Sequence, residues 1–285
     1  MQIANYFILK NTELKALISL LDDPDAEVYY HVKEKLLSIG NEVIETLEKE
    51  WGKNLNAIVQ VRIEALIYEL QVEQRTKRFV EWKESYDNDL LTGLWLVSTI
   101  QYPDYTLGDL KKEIELLFLE VWQKFDLEAK GRDAVAELNQ IFFNEFKFGA
   151  NTKNFHSPEN SIIKSVLASK KGNPISLAML YLLVANRLKL PIYGVNLPNF
   201  FVLTYMDDNE QFYINVFNRG LIFTRRDIES YVDQLNIERK DAYFNPCGNL
   251  EIIKRFLRNL MVSYEKNGQN DKKEEVRNLL LFIAD

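Results

Sequence analysis

The chain is poor in the residues from which reactive sites are usually built. Of its 285 residues, one is cysteine and two are histidine. The single Cys247 excludes a disulfide within the chain and any zinc cluster of several thiolates. His31 and His156 are too few and too far apart in sequence to suggest a metal set, and no cofactor is expected. Long apolar runs are also missing. The stretch "LYLLVANRL" is broken by Asn186 and Arg187, and nothing approaches the roughly 20 residues that a membrane-spanning helix needs. The start, "MQIANYFILKNTELK", has no basic segment leading into a clean apolar run and a small-residue cleavage site, so no secretion signal is expected. Positive charge is in deficit, with 35 Lys and Arg against 42 Asp and Glu, a net charge of −7. Nucleic-acid binding rests on neutralising phosphates, so nucleic acid is not expected as the main ligand. A cytoplasmic protein off the membrane is expected, of no specified oligomeric state.

What is present is core-forming material: 47% hydrophobic residues and 12% aromatic ones, enough for one to three domains. In "ELKALISLLDDPDAEVYYHVKEKLLSIG", Leu14, Leu17, Ile18 and Leu21 recur at helical spacing. Asp23 is placed to cap a second helix with Pro24 at its first position. Val28, Val32, Leu36 and Leu37 form that helix's stripe, and Gly40 ends it. "NEVIETLEKEW", closed by Gly52, and "IVQVRIEALIYEL" add two more helices. Short amphipathic helices with tight turns suggest a HEAT-like repeat over residues 1–86; an ordinary helical bundle is the plainer reading.

Helices continue through "LLTGLWLVSTIQYP" and "TLGDLKKEIELLFLEVWQKF", where Thr106 and Asp109 have capping-box spacing, and through "DAVAELNQIFFNEFKF". Phe118, Trp122, Phe125, Phe142, Phe143 and Phe146 read as core packing. From Ser157 the punctuation sharpens. Ser157 and Pro158 are expected to open a helix through "ENSIIKSVLAS", with Gly172 ending it in the left-handed conformation. Asn173 then caps a helix with Pro174 at its first position, and "ISLAMLYLLVANRLK" is apolar nearly all round and therefore central. Next the period changes. "LPIYGVNL", "FFVLTYM" and "QFYINVF" are strand-like, with "DDNE" as a hairpin tip and "LIFT" as a further extended piece. Thr224 and Asp227 cap "RRDIESYVDQL". The expected class is α+β, mainly α, with a buried helix on a small antiparallel sheet.

"NFHSPENSIIKSVLASKKGNPISLAMLYLLVANRLKLPIYGVNLPNFFVLTY" followed by "INVFNRG" resembles the bacterial transglutaminase-like proteins named after the Sir invasion regulator. "NPCGNLEIIKRFLRNLMVSYEKNGQNDKKEEVRNLL" is similar to that family's TPR-like tail. The resemblance runs from about Leu90 to the end. It implies a transglutaminase-like core at 87–240, the preceding helices included, and a TPR-like tail at 241–285. It also implies a cysteine at the buried helix start, a histidine on the first hairpin strand and an aspartate on the second.

None of the three is found. The helix start carries Pro174, Ile175 and Ser176, and either Pro174 or Ser176 overlays the nucleophile position. The family's "PGHF" corresponds to Pro198-Asn199-Phe200-Phe201, putting Phe200 at the histidine position. Its "DPF" corresponds to Asn215-Val216-Phe217, turning the carboxylate into an amide. A phenyl ring takes no proton, and an amide offers no charge to an imidazolium. Ser176 would need a base; His156, one helix earlier, is nearest in sequence, but a first-turn serine is normally a cap. Cys247 reads as a small hydrophobe in a turn. Lys170, Lys171, Arg219, Arg225, Arg226, Lys254, Arg255 and Arg258 could share one cationic face, although scattered solubilising charge is the plainer reading. The expected protein is a non-catalytic transglutaminase-like scaffold or regulator for a protein or peptide partner. Its vestigial site would involve Pro174, Ser176, Phe200 and Asn215, with Phe200 and Asn215 facing the helix start. The alternatives are a hydrolase or acyltransferase using Ser176, and a regulator of transcription acting through a protein partner.

Overall fold

A computed structural model describes residues 12–86 and 88–284; most of the stretch read for a secretion signal lies outside them. The chain divides into two units at Arg78 and Phe79. In the first, residues 12–19 are helical (α1) and pass through a 3-10 turn at Leu20–Asp22 into α2 (Ala26–Ile39), α3 (Ile44–Trp51) and α4 (Ala57–Glu84), the helix within which the division falls. Leu21, Leu36, Val43, Leu47, Ile63 and Leu66 are fully buried in one cluster. Gly40 ends α2 at a φ of 78°, which only glycine adopts without strain. The start of α2 differs from expectation: Asp25, not Asp23, caps it, accepting from the Glu27 N–H at 2.8 Å. Asp23 instead accepts from the Asp25 N–H at 2.8 Å, so Pro24 lies within the turn rather than at the first helical position.

The second unit contains α5 (Leu90–Thr99), α6 (Leu107–Trp122), α7 (Gly131–Asn139), a π-helical turn (Gln140–Glu145), β1 (Gly149–Ala150), a 3-10 turn (Pro158–Ser161) and α8 (Ile163–Ser169). It continues through β2 (Lys171–Gly172), α9 (Pro174–Arg187), β3 (Ile192–Leu197), β4 (Phe200–Met206), β5 (Gln211–Asn215), β6 (Leu221–Phe223), α10 (Arg225–Gln234), α11 (Asn249–Lys266) and α12 (Asn270–Phe282). The class is α+β, mainly α. The segment at 241–285 does not stand apart: Phe256, Leu260, Tyr264 and Val276 pack into the same cluster as α9.

The sheet order is β3-β4-β5-β6, antiparallel throughout. Side chains alternate across it. Phe201, Leu203 and Tyr205 belong to the cluster of α9, while Val202 and Tyr213 belong to the cluster of Ile228 and Val232 on α10. Both faces are therefore covered. Ile175, Leu177, Met179, Leu180 and Tyr181 of α9 are fully buried, and each large apolar side chain contributes about 1.5–3 kcal/mol.

Three local expectations change. The helix expected from Ser157 is two pieces, because Ile162 is extended at φ −118° and ψ 114°, and the Asn160 and Ser161 side chains are spent on polar partners rather than on a helical face. The left-handed residue after α8 is Lys170, at φ 60°, and Gly172 lies in β2. Trp122, expected in the core, is 48% exposed, whereas Phe142 and Phe143 are buried.

Candidate functional site

At the start of α9 the sequence Asn173-Pro174-Ile175-Ser176 makes a closed ring of hydrogen bonds. Asn173 Oδ1 accepts from the Ser176 N–H at 3.0 Å. Ser176 Oγ accepts from the Asn173 N–H at 3.0 Å and donates to the Asn173 carbonyl at 3.2 Å. Pro174 fits the first position because it has no N–H to satisfy. The hydroxyl proton is thus committed to the backbone, and Ser176 is fully buried. Gly172 closes the space above it: a Cβ there would lie 2.4 Å from Ser176 Oγ. That contact is why a glycine stands at 172.

The cap is tied to the loop before α8. Asn173 Nδ2 donates to Ser161 Oγ at 2.7 Å. Asn160, 2% exposed, donates to the carbonyls of Asn154 at 2.7 Å and Phe155 at 3.0 Å and accepts from Asn151 Nδ2 at 2.8 Å. Asn267 on the C-cap of α11 donates to the His156 carbonyl at 2.7 Å. The backbone of residues 154–156 is therefore held from two sides.

The four residues expected at a vestigial site do not converge. Pro174 and Ser176 stand at the helix start as expected. Phe200 takes the α10 side of the sheet, in the company of Val195, Val202 and Ile228, with its ring 6.1 Å from Tyr231. Asn215 shares the parity of Tyr213, and its Oδ1 accepts from the Asn218 N–H at 3.1 Å to cap the following 3-10 turn. The neighbouring Phe201 is the strand residue that reaches the α9 side. No hydrogen bond joins His156 and Ser176. Cys247 lies elsewhere: its N–H donates to the Gly194 carbonyl at 2.8 Å, and burial pushes its thiol up to about 11.

Beside the α9 start is a cleft of about 200 Å³. Phe155 and His156 form one wall, and Pro174, Ile175, Asn199 and Phe201 form another. The third wall is α11, which presents Arg255, Asn259, Val262 and Ser263. Arg255, Asn259 and Ser263 are four residues apart in turn and so share one helix face. The Arg255 guanidinium donates at 3.3 Å to Asn196 Oδ1 and at 3.3 Å to the Leu197 carbonyl. Its pKa is lowered, first by burial and then by the charge of Arg258. Sequence reasoning missed Phe201, whose parity is hidden because β4 is apolar on both faces. It also missed Asn160, which looks like an ordinary loop residue. Arg255 appeared only as one charge among eight.

Three other cations of that set have separate neighbours. Arg225 pairs with Glu229 at 3.3 Å, Lys254 with Glu251 at 3.2 Å, and Lys170 lies over the Phe148 ring at 4.6 Å. A second cleft, of about 380 Å³, lies between α6 and α8 and mixes Glu113 and Glu120 with Lys164, Lys170 and Leu116. Among the described residues, no three His, Cys, Asp or Glu side chains are grouped to hold a metal ion, and no helix is long and apolar enough to cross a membrane.

Residues 108–258, rather more than half the chain, match the sequence model of the transglutaminase-like superfamily. A UPF0162 protein of Xylella fastidiosa is 28% identical over 156 residues, covering 53% of this chain and 56% of that protein. A UPF0162 protein of Pasteurella multocida is 32% identical over 89 residues, or 31% of this chain and 33% of that one. F-box only protein 21 of Homo sapiens is 25% identical over 170 residues, covering 56% of this chain and 26% of that protein. The chain thus spans about half the length of the Xylella relative and about a quarter of the human one. No solved structure matches the chain at a significant level.

Proposed function

Because this chain belongs to the transglutaminase-like superfamily, we propose that it keeps the superfamily's helix-on-sheet frame but uses it to bind a protein or peptide rather than to transfer an acyl group. The supporting observation is the state of Ser176. A nucleophilic hydroxyl needs a base to take its proton. Here the proton is engaged by the Asn173 carbonyl, in a side chain fully withdrawn from solvent. The residues at the positions read for the histidine and the carboxylate, Phe200 and Asn215, are spent on the α10 side packing and on a turn cap. In this reading the chain is a degenerate member of the group named after the Sir invasion regulator. Its HEAT-like helices in the first unit and its TPR-like pair α11–α12 serve as scaffold.

Labelling purified protein with a fluorophosphonate and with iodoacetamide tests the reading. We expect no adduct on Ser176 and only slow alkylation of Cys247, whose thiolate is disfavoured by burial. A stoichiometric fluorophosphonate adduct on Ser176 would overturn the proposal in favour of a hydrolase or acyltransferase. A regulator of transcription acting through a partner is compatible with the same binding mode and differs only in the partner's identity.

A further inference from the structure

The cleft beside the α9 start contains a cation without an anion. Arg255 is partly buried and lowered in pKa by that burial. Its guanidinium makes two long hydrogen bonds, both to neutral oxygens, and among the described residues no carboxylate forms an ion pair with it. Other arginines of the same unit are served differently: Arg187 pairs with Glu115, Arg225 with Glu229 and Arg239 with Asp233. A charge taken partly out of water and left with weak neutral acceptors is under-compensated. Arg258, exposed one turn away on α11, adds to the positive potential.

The surroundings narrow what could complete it. A planar guanidinium is the preferred partner of a carboxylate, which it meets with two parallel hydrogen bonds. The cleft's volume, about 200 Å³, lies below the roughly 300–1,000 Å³ typical of small-molecule sites, so it takes a small group rather than a folded surface. Phe155, Phe201 and Val262 give each of the three walls an apolar side chain beside the charge. Asn259 and Ser263 continue from Arg255 along α11. Eight residues at 1.5 Å each make that row about 12 Å long, longer than one free amino acid and suited to the backbone of a short extended segment.

We propose that this cleft captures the carboxyl terminus of a peptide, with Arg255 pairing the terminal carboxylate, the last side chain held between Phe155, Phe201 and Val262, and Asn259 and Ser263 meeting the preceding peptide groups. This deepens the binding reading above and rests on it.

The test uses the full chain and isothermal titration with the pentapeptides Ala-Ala-Ala-Ala-Leu and Ala-Ala-Ala-Ala-Phe, each as free acid and as carboxyl-terminal amide, with free leucine and acetate alongside. The free acids should bind saturably, and at least tenfold more tightly than the amides. Arg255→Gln should weaken the free acids at least tenfold, whereas a control outside the cleft, Arg277→Gln, whose side chain pairs with Glu274 on α12, should change them less than threefold. An unchanged circular-dichroism spectrum and melting temperature for Arg255→Gln separates lost binding from lost fold; if that variant unfolds, the acid-against-amide ratio in the unaltered protein decides alone. Equal affinity for acid and amide overturns the proposal, as does an unaltered affinity in a folded Arg255→Gln protein or no saturable binding up to millimolar peptide. Leucine or acetate binding as tightly as the peptides overturns the peptide as the source of the carboxylate. Failure here without an adduct on Ser176 removes only this inference, whereas an adduct on Ser176 removes the binding reading beneath it.

Discussion

The helices α6, α9 and α10 begin with the same device, a residue and its third neighbour exchanging hydrogen bonds across the first turn. At α6 and α10 the pair is Thr-Asp and exposed: Thr106 with Asp109, and Thr224 with Asp227. At α9 the pair is Asn-Ser and buried, with Asn173 7% exposed and Ser176 fully covered. The composition follows the environment. A carboxylate at an exposed helix start is solvated and favoured by the helix dipole, whereas the same charge buried at α9 would need a partner. Neutral amide and hydroxyl groups fill that place instead; Asn173 donates from its side chain to Ser161 Oγ and from its backbone to the Asn160 carbonyl at 3.3 Å. The difference teaches that a serine at the first turn of a buried helix is a structural group first. Whether it could also be a nucleophile depends on what else claims its proton.

The largest effect should come from the deepest part of the buried network. Asn160→Ala removes three hydrogen bonds at once and leaves buried groups unserved, which should cost about 3 kcal/mol. A urea midpoint measurement checks it, and a loss under 1 kcal/mol would mean that the buried and exposed starts do not differ in kind. Ser176→Ala removes two buried hydrogen bonds, leaving the Asn173 N–H with the Asn160 carbonyl at 3.3 Å, and should cost about 2 kcal/mol. Thr224→Ala removes an exposed cap and should cost about 1 kcal/mol. If the last two losses were reversed in size, burial would not be what distinguishes the boxes.

The smallest effect is one of pH. Asp109 and Asp227 are both held below the ordinary carboxylate value of 3.8, chiefly by hydrogen bonds from Thr106 and Thr224. A depressed folded-state pKa gives stability that is complete above 3.8 and disappears as pH falls through the folded value. The stability difference between the parent protein and Asp227→Asn should therefore shrink when pH drops from 5 to 2. The difference made by Ser176→Ala should stay constant over that range, since no carboxylate takes part. Parallel urea titrations at pH 5, 4, 3 and 2 give both series, and a pH-dependent Ser176→Ala difference would show a titrating group coupled to the buried start.

Much of this was legible in the residues. The helix periods, the Asn173–Pro174 start, both Thr–Asp boxes and the strand order around "DDNE" all follow from local chemistry that the sequence displays. What was hidden was parity and partnership. "FFVLTY" is apolar on both faces because α9 covers one and α10 the other, so nothing in the string says whether Phe200 or Phe201 turns toward α9. Asn160 owes its role to an irregular loop five to nine positions away that no periodicity traces, and Arg255 owes its role to residues far along the chain. Asn160 meets Asn151 and the loop after it, and Arg255 meets β3, 58 and 59 positions away. No window of sequence contains both ends of the Arg255 contacts. Lys170 in the left-handed conformation illustrates a further limit: the fold accepts a strained lysine there and reserves glycine for position 172, where Ser176 Oγ leaves no space for a Cβ.

One amide side chain, that of Asn160, holds the carbonyls of residues 154 and 155 together. Two hydrogen bonds thus fix the backbone of that rim of the cleft in the unliganded chain, ahead of the docking proposed above. Little ordering entropy remains to be lost on docking, so association should show a single fast phase limited by encounter. The lifetime of the complex, rather than a slow closing step, would then decide how tightly it holds.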